Sequence, residues 1–157
     1  MRKFIALLVI TITLGITQGA NAGPHEDAVA AYNRDDYTTA LSLWRPLANQ
    51  GEARAQTGLG VMYQNGHGVP QDYKEAMRWY RLAAAQGNAL AQYNLGSMYE
   101  RGRAVPQEYV RAHMWFSFTA DGKYHINRVA AKMTPAQIEQ AQEMARKCKE
   151  SNFKNCD

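Results

Sequence analysis

The sequence has little of what catalytic or cofactor chemistry usually needs. It holds two cysteines, Cys148 and Cys156, both close to the C-terminus, so the body of the chain has no thiolates to share. Its four histidines, His25, His67, His113 and His125, stand without a second His, Cys or carboxylate at metal-ligand spacing on a helix face, and neither metal nor cofactor is expected. Charge of one sign is also scarce. The net charge of +4 includes Arg2 and Lys3, and elsewhere the signs are interspersed, as in Arg78, Arg81 and Glu100. This is the pattern of solvated helix faces and not the concentrated basic stripe of a nucleic-acid surface. Gly66-His67-Gly68 lacks the Lys and Ser/Thr of a phosphate-binding loop and follows a helix where such a loop follows a strand. Ser151-Asn152-Phe153-Lys154 matches the S-x-x-K spacing of penicillin-recognising enzymes, but neither S-D-N nor K-T-G accompanies it. No catalytic residue set is expected.

Long apolar runs are missing too, except at the start. Residues 4–16 are apolar or Thr apart from one Gly, preceded by Arg2 and Lys3 and followed by Ala20-Asn21-Ala22. That order is a secretory signal, with cleavage expected after Ala22, and the run is short for a bilayer span. The expected organisation is a signal peptide over 1–22 and one domain over 23–157, exported to the periplasm or the medium with no stable membrane span after cleavage. In such an oxidising place the even cysteine count predicts a Cys148–Cys156 bridge that folds the tail onto the last helix.

What the sequence does have is a repeat. A shift of 36 residues superposes Gln56 on Gln92, Leu59 on Leu95, Gly60 on Gly96, Met62 on Met98 and Tyr63 on Tyr99. The same shift carries Gly66 to Gly102, Val69-Pro70-Gln71 to Val105-Pro106-Gln107, Ala76 to Ala112 and Trp79 to Trp115. Shifted the other way, Asp72-Tyr73 falls on Asp36-Tyr37 and Gln86-Gly87 on Gln50-Gly51. A period of this size means a stacked array whose terminal units are atypical. Each unit reads as two helices. Ala91, Leu95, Met98 and Tyr99 make an apolar stripe on the first; Tyr73, Ala76, Tyr80, Ala83 and Ala84 make one on the second. The units are expected at about 23–52 (degenerate, its first helix from His25 to Asn33), 53–87 and 88–122. A C-terminal cap over 123–157 holds a short helix around 127–132 and a last helix begun by the capping box Thr134-Pro135-Ala136-Gln137. Pro70 is placed where the second helix can start.

Gly96-Ser97-Met98-Tyr99 with Gly102, Val105, Glu108-Tyr109, Ala112 and Trp115-Phe116 resembles a Sel-one-like repeat (SLR), a relative of the tetratricopeptide repeat with a longer inter-helix loop. Residues 55–80 match as well, and the likeness covers roughly 31–120. The resemblance implies an all-α, short right-handed α/α solenoid of antiparallel helix pairs, and use as an adaptor or scaffold without catalytic residues. The expected ligand is a protein or peptide in the cell envelope, met on the concave face by a chain treated as a monomer. Positions on the first helices are the candidates for contact: Gln56, Gln64, Gln92, Asn94, Glu100 and Arg101. Tyr63, Tyr80, Tyr99, Trp79 and Trp115 are read as core, and His67 and His113 as surface or groove. The competing readings are a weak hydrolase of the β-lactamase kind and a cell-wall glycan binder.

Overall fold

In the computed structural model, which describes residues 23–156, the apolar stripes become eight α-helices and no strand. The signal segment expected over 1–22 lies outside the described residues. The helices are α1 (Pro24–Tyr32), α2 (Tyr37–Asn49), α3 (Ala53–Asn65), α4 (Tyr73–Ala84), α5 (Ala89–Arg101), α6 (Tyr109–Phe116), α7 (Gly122–Ala130) and α8 (Pro135–Glu150). From α1 to α7 each packs on its neighbours in sequence, and α8 closes the stack against α6. This is an all-helical repeat solenoid.

The recurring Val-Pro-Gln has a specific use. In the first complete unit α4 starts at Tyr73, later than Pro70, because Asp72 caps it by accepting from the N–H groups of Lys74 (2.8 Å) and Glu75 (3.1 Å). Gln71 reaches back across the loop and donates to the carbonyl of Gln64 at 2.8 Å; its counterpart Gln107 donates to Glu100 O at 2.7 Å. Each inter-helix loop is thus stapled to the helix it leaves, on a carbonyl that helix cannot satisfy itself. The first unit lacks this loop. Only residues 33–36 join α1 to α2, which is why its first helix resists the 36-residue shift.

Two core clusters form. One gathers Ala28, Ala31, Trp44, Leu59, Met62 and Trp79; the other gathers Tyr80, Leu95, Met98, Trp115, Phe116, Val129 and Cys148. Helix α4 serves both through the adjacent residues Trp79 and Tyr80. Close approach is possible because Gly60 faces the Tyr80 ring and Gly96 faces the Phe116 ring.

The C-terminal part follows the anticipated capping box: Gln137 N–H donates to Thr134 Oγ1 (3.2 Å) and Thr134 N–H to Gln137 Oε1 (2.8 Å). Cys148 and Cys156 are bridged with their Cα atoms 4.7 Å apart. A loop this short contributes about 2–3 kcal/mol in the chain-entropy account. The short helix expected around 127–132 starts earlier, at Gly122. There the backbone turns so tightly that a Cβ would sit 2.1 Å from Phe116 O, which only glycine tolerates.

Candidate partner-binding surface

The first helices of successive units, α1, α3 and α5, touch one another directly. These first helices share one face of the stack. Two hollows lie there. The first, of about 380 Å³, takes His25, Val29 and Tyr32 from α1, Arg54, Thr57 and Val61 from α3, and Leu90 from α5. Trp44 is also in its wall and is 4 % exposed. The second, of about 420 Å³, is formed by Leu90 and Tyr93 of α5, residues 119–121, and His125 of α7. Leu90 belongs to both and is 56 % exposed; Val29 beside it is 37 % exposed. Leu90 and Val29 are thus apolar side chains left open to solvent at the two hollows.

The electrostatics are simple. Arg54 is the one Lys or Arg in the first hollow, and it is paired with Glu26 and, at 3.7 Å, with Glu52. Asp121 is the one carboxylate of the second. Trp44 Nε1 in the first hollow and His125 Nδ1 in the second have no hydrogen-bond partner, and His25 Nδ1 has the Glu52 carboxylate 3.4 Å away. Among the described residues no group of His, Cys, Asp and Glu could hold a metal ion.

The Sel1 repeat family model matches residues 53–88 and 89–124. Among solved structures, one similar chain is c5321, a protective antigen present in uropathogenic Escherichia coli strains and displaying an SLR fold. Identity is 30 %, the TM-score 0.75, and the match covers 84 % of this chain but 32 % of that one. Another is a Sel1 repeat protein from Oxalobacter formigenes, at 26 % identity and TM-score 0.66, covering 78 % of this chain and 55 % of that one. The chain is a Sel1-repeat protein. It spans about a third of the first relative and just over half of the second. No curated protein matches it.

The residues singled out in this Sel1-repeat protein from sequence fall in different places. Gln56 and Gln92, 4 % and 2 % exposed, are not on an open face. They sit in the seams between units, donating to Ala48 O (3.2 Å) and Ala84 O (3.4 Å), the last turns of the preceding helices. Gln86 completes the first of these by donating to Gln56 Oε1 at 2.9 Å. Glu100 is 8 % exposed, held by Arg128, whose Nε donates to it at 2.8 Å. Arg101 is exposed beside that pair, in a polar depression with Gln107 and Lys132 at the loop edge, away from the apolar hollows. Gln64 is half-buried and accepts from Tyr80 OH at 3.4 Å; Asn94 is half-buried on α5. Of the aromatics read as core, Tyr80, Tyr99, Trp79 and Trp115 are buried and Tyr63 half-buried.

Two histidine expectations need correction. His113 is 5 % exposed, filling the core slot of its counterpart Met77. His67 is half-buried and engaged: Tyr32 OH lies 2.9 Å from its Nδ1, and its ring stacks on Tyr37 at 4.3 Å. Sequence reading passed over Val29, Leu90 and Tyr93. A signal existed for Leu90, which lies off the Ala91–Leu95–Met98 stripe where the preceding unit has Arg54. Ser151 is committed within the tail, donating to Cys148 O (2.8 Å) and accepting from Asn155 N–H (3.1 Å).

The buried histidines set a pH response. Burial lowers the pKa of His113 below its ordinary 6.5; burial, then Arg54, lowers that of His25, against a smaller upward pull from Glu52 and Glu26. The unfolded chain therefore binds more protons than the folded one just below pH 6.5, and stability falls as pH drops through that range. The carboxylates with lowered pKa, Glu26, Asp36, Glu75 and Glu143, act mainly below 4.5 and leave the window from pH 6.5 to 5 to the histidines. Thermal melts should show Tm declining over that window, with a shallower decline in His113→Met, which restores the residue of the neighbouring unit. An unchanged slope in that variant would assign the effect elsewhere.

Proposed function

We propose that the protein is an exported adaptor that holds a segment of another protein on its inner face. Sel1 repeats are generally protein-interaction scaffolds and typically non-catalytic, which sets the class of function. The observation that carries the finer reading is the pair of apolar hollows sharing Leu90, where side chains from α1, α3, α5 and α7 converge. Export is supported by the basic, apolar and small-residue order of the first 22 residues, and a Cys148–Cys156 bridge is compatible with it. Among the described residues no helix is long and apolar enough to cross a membrane.

The test is crosslinking in cells, with a photo-reactive residue at Val29, Leu90 or Asn94 in turn and at exposed Glu139 on α8 as the control. A discrete protein adduct is expected from Val29 and Leu90 and not from Glu139. Leu90→Asp should weaken the isolated complex at least tenfold, as for an anchor residue at an interface, where about 1.4 kcal/mol corresponds to that factor. Adducts confined to Glu139, or none from any inner position, overturn the reading.

A further inference from the structure

The polar depression beside Arg101 has no part in the adaptor reading. It measures about 450 Å³, and its walls are Glu100 and Arg101 at the end of α5, Gln107 of the next loop, Arg128 of α7 and Lys132 just beyond α7. None of these side chains is apolar, so the depression lacks the anchor pocket that a protein segment would fill. The lining holds three cations and one carboxylate. That carboxylate is already committed. Glu100 is 8 % exposed, and Arg128 takes both its oxygens, with Nε donating to Oε1 at 2.8 Å and Nη2 donating to Oε2. Such a two-pronged pair is neutral as a unit and holds the guanidinium in place. Among the described residues neither Arg101 nor Lys132 has a carboxylate partner. Both are exposed, and Lys132 Nζ lies over the Tyr109 ring at 5.1 Å. The depression is left with a formal charge of +2.

Its hydrogen-bonding groups are equally one-sided. The last carbonyls of α5 would be acceptors here, but the loop closes them. Met98 O accepts from the N–H groups of Gly102 and Arg103, Tyr99 O from Glu108 N–H, and Glu100 O from the Gln107 side chain at 2.7 Å. The groups left open are mostly donors: the Arg101 guanidinium, the Lys132 ammonium and the second amide N–H of Gln107. A group that suits them carries about two negative charges and several acceptor oxygens. A phosphate monoester has both, whereas a carboxylate has one charge and two oxygens. The negative end of the α5 dipole opposes an anion, but it amounts to about half a charge against two full ones.

The preceding unit shows that the loop itself does not require this charge. Gln71 staples its loop to Gln64 O just as Gln107 staples the later one to Glu100 O. Yet 36 residues before Glu100 and Arg101 stand Gln64 and Asn65, both uncharged. The stapling is common to both units; the charge belongs to one.

We propose that this depression binds the phosphate group of a phosphate monoester. Arg101 and Lys132 contact its oxygens, and the Glu100–Arg128 pair forms a fixed wall of the site. The site is separate from the apolar hollows, and its test stands apart from that of the adaptor reading.

The test is titration of the purified protein at low ionic strength, read by calorimetry and phosphorus NMR, with inorganic phosphate as the probe above its second pKa of about 6. Saturable binding is expected, at least about tenfold tighter than that of acetate. Arg101→Gln and Lys132→Gln, on exposed side chains, should each weaken it at least about fivefold, and together abolish it. Lys149→Gln on α8 should leave it unchanged, and all variants should keep the parent Tm. Phosphatidylcholine vesicles with and without phosphatidic acid identify the source. Cosedimentation that needs phosphatidic acid and is lost in Arg101→Gln assigns the phosphate to a lipid headgroup; phosphate binding without cosedimentation assigns it to a soluble ester. Equal affinity for acetate and phosphate, or tighter binding of a short polyglutamate peptide, overturns the inference in favour of an acidic protein segment. No saturable phosphate binding, or binding that survives in the Arg101 and Lys132 double variant, overturns it outright.

Discussion

Trp44→Ala is expected to cost about 3–5 kcal/mol, the range for emptying a large aromatic from a core that cannot close over the space. The side chain is 4 % exposed, and its ring lies so flat against α3 that a Cβ on Gly58 would be 2.6 Å from it. It also meets the Tyr32 ring at 5.6 Å and the His25 ring at 6.1 Å, so it joins α1, α2 and α3. In a stack where each unit touches only its neighbours, the loss stays local. Hydrogen exchange should quicken in α1 and α2 well before α6 and α8. Urea unfolding followed by circular dichroism gives the magnitude, and Trp44→Phe should recover part of it. A cost under about 1 kcal/mol would mean the first unit is not packed as described, since surface substitutions reach only about 0.5 kcal/mol. Because Trp44 also walls the first hollow, the variant should also lose the proposed partner under conditions where the remaining units are still folded.

The fold was legible in the sequence where the rules are local or periodic. The 36-residue shift, the Thr134–Gln137 capping box and the cysteine pair each depend on residues close in sequence or on a repeated pattern, and the structure has all three. Which polar residues stand open was harder to read, for a physical reason. Gln56 and Gln92 are polar and sit on first helices, so they look available. Yet they occupy the same position in both units, the mark of a scaffold task, and that task is to satisfy a carbonyl at the end of the previous helix. Glu100 was hidden similarly, because its partner Arg128 comes from the irregular cap region and not from the repeat. The hollows depend on which side chains from α1, α2, α3, α5, α7 and the loop before α7 meet, and the degenerate first unit supplies His25, Val29 and Tyr32 out of register with the others. No one-dimensional period encodes that convergence. The start of α7 was missed because Gly122 looks like a helix breaker, whereas here its missing side chain lets the helix begin against Phe116 O.

Gly60→Val should destabilise the protein by about 1–2 kcal/mol, although it replaces a poor helix former with a better one. Two effects oppose. Removing glycine from a helix interior gains at most about 1 kcal/mol. Against that, a Cβ at position 60 would lie 2.4 Å from Tyr80 Cε1 and 2.5 Å from Cδ1, and overpacking of a filled core typically costs about 1–3 kcal/mol, occasionally more. The ring has no room to retreat, because Tyr80 is fully buried. The clash therefore wins, more strongly for valine than for alanine, and Gly60→Ala should fall between valine and the parent. The same geometry recurs one unit on, where a Cβ at Gly96 would meet the Phe116 ring at 2.8 Å, so Gly96→Val should behave alike. The decisive measurement is a double-mutant cycle with Tyr80→Leu. If the glycine exists to seat the ring, the double variant is less damaged than the two single costs added together, with a coupling of about 0.5–3 kcal/mol, the range for residues in contact. Strict additivity would mean that the ring is not what excludes a side chain at position 60. The repeated Gly–aromatic pairing would then be incidental to how α3 meets α4 and α5 meets α6.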